Sequence, residues 1–338
     1  MKEDTKRLQW IDTLKGFAII LVVLGHTLDG SLMYNTSNWM INLHTIIYAF
    51  HMPLFFFLSG CTFALSKKNT DTKLFFSRML ELLIVYIFWS FLMYFGKKSF
   101  ANEVNNPLSH SFFYHLLFSP VAPFWYLITL IMYSVLTFII KGNKKLQYIL
   151  FIVALLISGI IPIFTFWNNS KELSFLYRLF FHFVFFLGGF LFIRKNCTRK
   201  VSLSRRIIVY CITLFSIIIY CVFNLYNKLM INEVLAWLFI VTFIMICMKL
   251  SKIFTPHILN YYGHYSLYIY CLHNFCTVAL RILLKNTITN GGEYVCIVFL
   301  TTMIICTFAI IIIQKIKFLN IFFMPAKTIV ELRKSREN

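Results

Sequence analysis

Residues 11–29, IDTLKGFAIILVVLGHTLD, form an apolar stretch that carries two basic side chains, Lys15 and His26. They stand eleven positions apart, and eleven helical steps bring a side chain back to within about 20° of its starting direction. Both groups therefore project from one face of a helix, about 16 Å apart along its axis. Because ionisable groups are costly inside a bilayer, this pair predicts a functional site on a membrane helix.

The remainder of the chain has the composition of an integral membrane protein. Of its 338 residues, 59% are hydrophobic and only 13% are charged, whereas a soluble domain has about 25% charged residues. We therefore expect an all-α fold, a polytopic membrane bundle of about ten transmembrane helices. The candidate spans are roughly 11–29, 41–65, 79–96, 123–140, 146–165, 174–193, 206–226, 233–250, 264–284 and 293–316.

Basic residues are distributed unevenly between the two sides of this predicted bundle. With the N-terminus in the cytoplasm, 24 Lys and Arg residues fall in inner segments and 5 in outer loops. Such an excess marks the cytoplasmic side, so both termini are expected there. The net charge of +20 then reflects membrane orientation, and nucleic-acid binding is not expected.

The chain shows no internal repeat and no linker rich in proline and serine. We therefore predict a single domain over residues 1–338, with 321–338 as a charged cytosolic tail. The first apolar stretch contains Lys15 and His26 and no small-residue cleavage site, which is atypical of a signal peptide. The nine cysteines form no C-x-x-C pair, so neither a disulfide framework nor a metal site is expected.

Two further candidate spans carry polar side chains at helical spacing. Such a row would be costly against lipid, so each must face protein or a water-filled cavity. The alternative is purely structural, with each histidine bonding another helix or the backbone freed near Pro53. The first row is His44, Tyr48 and His51, and the second is Ser266, Tyr270, His273, Thr277 and Arg281.

Individual polar residues elsewhere have two interpretations each. Asp29 follows His26 by three positions, so it either accepts a proton from the imidazole and orients it, or is a solvated cap residue. Trp125 is either an interface anchor or a stacking surface for a sugar. Arg281, near the outer surface, either packs against a neighbouring helix or meets an anionic or hydroxyl-rich ligand, and Arg178 lies four residues before His182 in the outer half of the sixth span.

The sequence excludes several enzyme classes. It contains no P-loop, G-x-G-x-x-G, H-E-x-x-H or G-x-S-x-G motif, so ATP hydrolysis is not expected. A neutral imidazole in a membrane cavity can remove a proton from an alcohol that attacks a thioester, or can carry the acyl group itself. Acyl transfer fits these residues better than ion pumping, although spacing alone leaves both open.

Four segments resemble the acyltransferase 3 family of integral membrane acyltransferases, most closely its fucose 4-O-acetylase-like branch. The family signature is a basic residue, ten intervening residues and a histidine, which Lys15 and His26 match. Relatives commonly show R-x-x-R on the third helix, where this chain has Arg78 and Glu81, so the second basic position is acidic. The segments are 7–26 (RLQWIDTLKGFAIILVVLGH), 48–60 (YAFHMPLFFFLSG), 124–127 (FWYL) and 264–273 (HYSLYIYCLH).

The resemblance implies a membrane O-acetyltransferase that moves an acetyl group from cytosolic acetyl-CoA to a hydroxyl of a cell-surface carbohydrate. The acceptor would be an O-antigen, capsule or exopolysaccharide, including lipid-linked forms, at a bacterial cytoplasmic (inner) membrane. Acetyl-CoA would be a substrate, with no permanently bound cofactor and no metal. The alternatives are a multi-pass transporter or flippase for a polysaccharide precursor, and a non-catalytic partner in polymer export.

The same resemblance assigns roles to particular residues. His26 would be the catalytic histidine, and Lys15 its basic partner near the donor. Arg78 would join Lys15 in binding the donor. The remaining candidates, all for substrate binding, are His51, His273, Arg178, Arg281, Trp125 and Tyr48.

Overall fold

The computed structural model describes residues 9–31, 37–101, 108, 110–165, 171–195, 202–222, 229–253, 256–284, 287–326 and 328–329. Their secondary structure is helical, which confirms the predicted all-α class. Short 3₁₀ segments lie at Lys67–Asn69 and Lys317–Phe322. The helices are α1 (Gln9–Ser31), α2 (Asn38–Leu65), α3 (Thr72–Ser99), α4 (Phe112–Leu117), α5 (Trp125–Ile140), α6 (Lys144–Thr165), α7 (Lys171–Arg194), α8 (Leu203–Val222), α9 (Leu229–Ile253), α10 (His257–His264), α11 (Ser266–Leu284) and α12 (Gly291–Lys315).

Eight helices in the described part of the chain are long and apolar enough to cross a membrane. They are α1, α2, α3, α7, α8, α9, α11 and α12, and α5 is apolar but shorter. Each of the ten expected spans coincides with one helix, α5 and α6 included. The multi-pass membrane character is therefore confirmed, while the count of ten and the cytoplasmic termini stay predictions.

Helix α1 lies at the centre of the bundle, in contact with α2, α9, α10, α11 and α12. Aromatic rings fill much of the space between the helices. Phe50 of α2, for example, stacks on Phe239 of α9 with ring centroids 4.2 Å apart. Since polar groups on a central helix have few lipid neighbours, the position of α1 explains how it carries Lys15 and His26.

Two glycines allow α2 and α7 to pack backbone against backbone. A Cβ built on Gly60 would overlap the carbonyl oxygen of Phe186, and one on Gly189 would overlap that of Phe57. Small residues of this kind are typical of close helix contacts in membranes. The contact fixes the face of α2 that carries the His44–His51 row relative to α7.

The first part of the expected cytosolic tail is packed against the bundle. Phe323 is buried, and the indole nitrogen of Trp89 donates to the carbonyl of Phe322 at 2.9 Å. The backbone nitrogen of Ala326 donates to Glu81 at 3.2 Å. The prediction of a solvated tail is therefore wrong for Phe322, Phe323 and Ala326, which contact α3 and α11, whereas Ile329 is exposed. Residues 330–338 lie outside the described part of the chain.

Candidate functional site

The carboxylate of Asp29 is the centre of a polar cluster near the end of α1. Its Oδ2 lies 3.2 Å from Nδ1 of His26, one turn earlier on the same helix. Its Oδ1 lies 2.8 Å from Nε2 of His44, and the Tyr48 hydroxyl donates to Oδ2. Because α1 continues to Ser31, Asp29 is not a solvated cap residue. We call His26, Asp29, His44 and Tyr48 the Asp29 cluster.

Two buried histidines from neighbouring helices complete this site. The ring of His273 lies 5.2 Å from that of His26, centroid to centroid. His51 lies 4.9 Å from Tyr48, whose other neighbour is the stacked ring of His44 at 4.2 Å. The polar rows of α1, α2 and α11 therefore converge, as expected for rows that must avoid lipid.

Both buried histidines are held by the backbone one turn earlier. Nδ1 of His51 lies 2.7 Å from the carbonyl of Ile47, and Nδ1 of His273 lies 3.0 Å from that of Ile269. A ring nitrogen facing a carbonyl carries the proton, so Nε2 is the acceptor in the neutral ring. Pro53 has no N–H group, so the carbonyl of Ala49, four residues earlier, loses its helical donor. His51 contacts the carbonyl of Ile47 instead, and it therefore does not replace the hydrogen bond that the proline removes.

The acceptor nitrogen of His273 is unusual. This side chain is fully buried, at 0% exposure, and its Nε2 has no hydrogen-bond partner among the described residues. Buried polar atoms nearly always have a partner in the protein or in ordered water. A substrate hydroxyl or a water molecule next to His26 would satisfy it.

A second group of predicted binding residues adjoins the Asp29 cluster. The guanidinium of Arg178 lies over the Trp125 ring, 5.2 Å from its centroid, and is close enough to Tyr48 for its charge to act on that side chain. His182 packs 5.3 Å from the same indole, its Nδ1 held by the carbonyl of Arg178 at 2.7 Å. Helices α5 and α7 thus present an aromatic and cationic surface beside the α2 row.

Lys15 and Arg78, the two predicted donor contacts, line one cavity of about 260 Å³. Ser59 and Tyr126 are hydrogen-bonded to each other on its wall at 2.7 Å. Arg78 also donates to the hydroxyl of Ser66 at 3.3 Å. The remaining polar lining residues are Thr62, Ser134, Ser266 and Tyr270.

The cavity and the Asp29 cluster are adjacent but distinct. The residues that line the cavity include Lys15 and not His26, which lies about 16 Å further along α1. Tyr270 connects the two groups, since it lines the cavity and its ring centroid lies 6.1 Å from that of His273. Its hydroxyl donates to the carbonyl of Pro123. Lys15 and His26 therefore share a helix face, but only Lys15 lines this cavity.

One predicted binding residue lies apart from these groups. Arg281 follows His273 by eight residues on α11, which is about 12 Å along the helix axis. It belongs to the end of α11 rather than to the cluster. Among the described residues, no group of three or more His, Cys, Asp and Glu side chains is arranged to hold a metal ion.

Several polar residues of the site were not among the predicted site residues. His44 was given no role, although its spacing from Tyr48 and His51 puts it on their face. Tyr270 and Ser266 belong to the polar row of α11, which could have identified both as cavity residues. Tyr126 and Ser59 are in contact only because α5 packs against α2, and no pattern in the sequence predicts that contact.

Comparison with known proteins agrees with this architecture. A family model described as an acyltransferase domain matches residues 8–313. The chain is also 40% identical over 84 residues to nodulation protein NolL of Sinorhizobium fredii (strain NBRC 101917 / NGR234), which covers 24% of this chain and 23% of that protein. No solved structure shows a significant match. Placement in the fucose 4-O-acetylase-like branch stays a prediction. Since the family match extends from the start of α1 almost to the end of α12, the chain belongs to the acyltransferase 3 family.

Proposed function

We propose that this membrane acyltransferase moves an acetyl group from cytosolic acetyl-CoA to a hydroxyl of a cell-surface carbohydrate at a bacterial cytoplasmic membrane. The observation that carries the proposal is the contact of Asp29 with His26, beside the unpartnered Nε2 of His273. A carboxylate, an imidazole and a vacant acceptor for a hydroxyl hydrogen bond suit proton removal from an alcohol.

The donor would bind in the cavity lined by Lys15 and Arg78. Its volume of about 260 Å³ lies below the roughly 300–1,000 Å³ of sites that enclose a whole drug-sized ligand. It suits the thioester and the arm that leads to it, with the nucleotide remaining outside on the predicted cytosolic side. The two cations would attract the phosphates of CoA, and the Tyr126–Ser59 pair offers hydroxyls to the amides of the arm.

The chemical step follows from the orientation of His26. Asp29 accepts from Nδ1, which leaves Nε2 as the nitrogen that takes a proton. His26 removes the proton of the acceptor hydroxyl as its oxygen attacks the thioester carbonyl. The new C–O bond forms, the C–S bond breaks, and the proton is passed to the departing thiolate to give free CoA. Transfer through an acetyl group carried on His26 is the other route this geometry allows.

The acceptor would reach His26 from the side of α2 and α7. The His26 side chain is 23% exposed, so an external hydroxyl can reach it. Tyr48 is 38% exposed and packs beside His26, and Arg178 lies over the ring of Trp125, which is itself buried. Tyr48 would therefore supply the aromatic contact to the acceptor and Arg178 the cationic one. Such a surface suits a sugar that carries hydroxyl or carboxylate groups.

The proposal is tested with purified protein in liposomes, radiolabelled acetyl-CoA and a lipid-linked glycan acceptor. The wild-type protein should transfer label to the glycan, and His26→Ala should abolish transfer while keeping its melting temperature. Normal labelling by His26→Ala would overturn the assignment of His26. Glycan movement across the bilayer without any labelling would instead favour a flippase.

A variation of this assay separates the two chemical routes. Without acceptor, an acyl-carrier mechanism should leave label on the wild-type protein but not on His26→Ala. General-base catalysis should leave none on either protein.

A further inference from the structure

The segment that follows α12 is held against α3 and α11 by specific side-chain contacts. The Phe322 ring stacks on Phe88 of α3 at 4.7 Å, and the Phe323 ring stacks on Tyr268 of α11 at 4.6 Å. The Tyr268 hydroxyl donates to the amide oxygen of Asn320, which is itself buried. We call residues 317–326 and 328–329 the C-terminal segment.

The C-terminal segment also forms part of the donor cavity. Met324 lines that cavity together with Lys15, Arg78 and Leu82. The carbonyl of Met324 accepts from the side chain of Thr328 at 2.8 Å, and Thr328 is fully buried. The turn that presents Met324 to the cavity is therefore fixed from its far side.

Glu81 attaches this turn to α3. Its Oε1 accepts from the backbone nitrogen of Ala326 at 3.2 Å, although 245 positions separate the two residues. It lies three residues from Arg78, so on a helix the two share one face, and the carboxylate is attracted to that guanidinium. The acidic residue that breaks the R-x-x-R pattern thus has a partner in the chain itself.

We propose that Glu81 is a positioning residue that holds the C-terminal segment as the cytosolic wall of the donor cavity. Donor binding then depends on Glu81 through Met324, and not through direct contact between residue 81 and the donor. The inference rests on the proposed function only for the identity of that donor.

Two substitutions at position 81 separate this role from direct donor binding. Glu81→Gln keeps a side-chain oxygen for the Ala326 nitrogen, whereas Glu81→Arg removes the acceptor and restores a basic residue. We expect Glu81→Arg to raise the KM for acetyl-CoA on the order of 10-fold, as for loss of a hydrogen bond to a charged group. The kcat should change by less than about 3-fold, and Glu81→Gln should stay within about 3-fold of wild type in both constants. A lower KM in Glu81→Arg would overturn the proposal, because it would mean that residue 81 meets the donor.

Hydrogen–deuterium exchange gives a readout that requires no donor. Residues 320–329 should exchange faster in Glu81→Arg than in wild type, and at the wild-type rate in Glu81→Gln. Unchanged exchange in Glu81→Arg would refute the anchoring contact.

Met324→Ala serves as a second variant. It should show a several-fold higher KM for acetyl-CoA and the wild-type rate of exchange. A KM unchanged in Met324→Ala would show that the segment is no part of the donor site. Whether CoA is the donor is tested separately, by titrating the wild-type protein with CoA. The exchange experiment needs no donor, so a failure of the proposed donor can be distinguished from a failure of the Glu81 contact.

Discussion

Replacing Asp29 by asparagine tests whether the carboxylate orients the imidazole of His26. The substitution keeps the size of the side chain but turns one of its two acceptor oxygens into a donor. Asp29 accepts from three groups in the structure, His26, His44 and the Tyr48 hydroxyl. An asparagine amide cannot serve all three, so at least one donor is left facing another donor.

The size of the effect follows from the contact to His26. Hydrogen bonds to charged groups contribute about 1.5–3 kcal/mol, which is roughly 10- to 150-fold in rate at about 1.4 kcal/mol per factor of ten. The 3.2 Å separation between Asp29 and His26 is longer than the 2.8 Å separation between Asp29 and His44. We therefore expect kcat in Asp29→Asn to fall by about 10- to 50-fold, the lower part of that range. His44→Ala removes one partner of Asp29 without touching the Asp29–His26 contact, and it should cost less than about 5-fold.

The assay is acetyl transfer at saturating acetyl-CoA. Melting temperatures of both variants in detergent provide the control for folding. The expected result is a low kcat in Asp29→Asn at an unchanged melting temperature. Wild-type kcat in Asp29→Asn, alongside an inactive His26→Ala, would refute the orienting role.

Three further substitutions probe the donor cavity, the helix packing and the tyrosine between the cavity and His273. Lys15→Ala should raise the KM for acetyl-CoA about 10-fold, with Lys15→Arg close to wild type, as measured by steady-state kinetics. Gly189→Leu should lower the melting temperature or prevent folding, because its side chain overlaps the carbonyl of Phe57, whereas Gly96→Leu should be tolerated because nothing lies within 4 Å of a Cβ there. Tyr270→Ala should increase the hydrolysis of acetyl-CoA without acceptor, since it removes a ring that lines the cavity and lies next to His273. Tyr270→Phe keeps the ring and should not, so equal hydrolysis in the two variants would contradict the role of the ring.

The helices and the inward-facing rows were predictable because two physical rules act locally. A bilayer demands long apolar helices, and polar groups on those helices must avoid lipid. Spacing alone therefore indicated that His51, Tyr48 and His273 lie on polar faces. The burial of His51 and His273 confirms that these faces point to protein.

The neighbours of each face were not predictable, because helical periodicity gives direction within one helix and nothing about its partner. From the sequence, a solvated cap was the preferred interpretation of Asp29, and only the packing of α1 against α2 brings His44 and Tyr48 to it. Lys15 and His26 share a face as predicted, yet only Lys15 lines the cavity, and Tyr270 of α11 lies beside both that cavity and His273.

The C-terminal segment shows the same limit at longer range. The lysines and arginines of residues 321–338 indicated solvation, while the apolar pair Phe322 and Phe323 was the contrary signal. The stacking partners of this pair lie on α3 and α11. Glu81 looked like a departure from a family motif because its partner, Ala326, is separated from it by 245 positions. The role of a residue that departs from a family motif, such as Glu81, thus becomes clear only when its neighbours in the structure are known.

Tyr270 is the residue that links the three parts of the proposed reaction path. It lines the cavity that includes Lys15, and its ring centroid lies 6.1 Å from that of His273. His273 in turn lies 5.2 Å from His26, centroid to centroid. Under the proposed function, a thioester held in the cavity would reach His26 past these two rings. The Tyr270 hydroxyl donates to the carbonyl of Pro123, just before α5, so the position of this ring is coupled to the start of that helix.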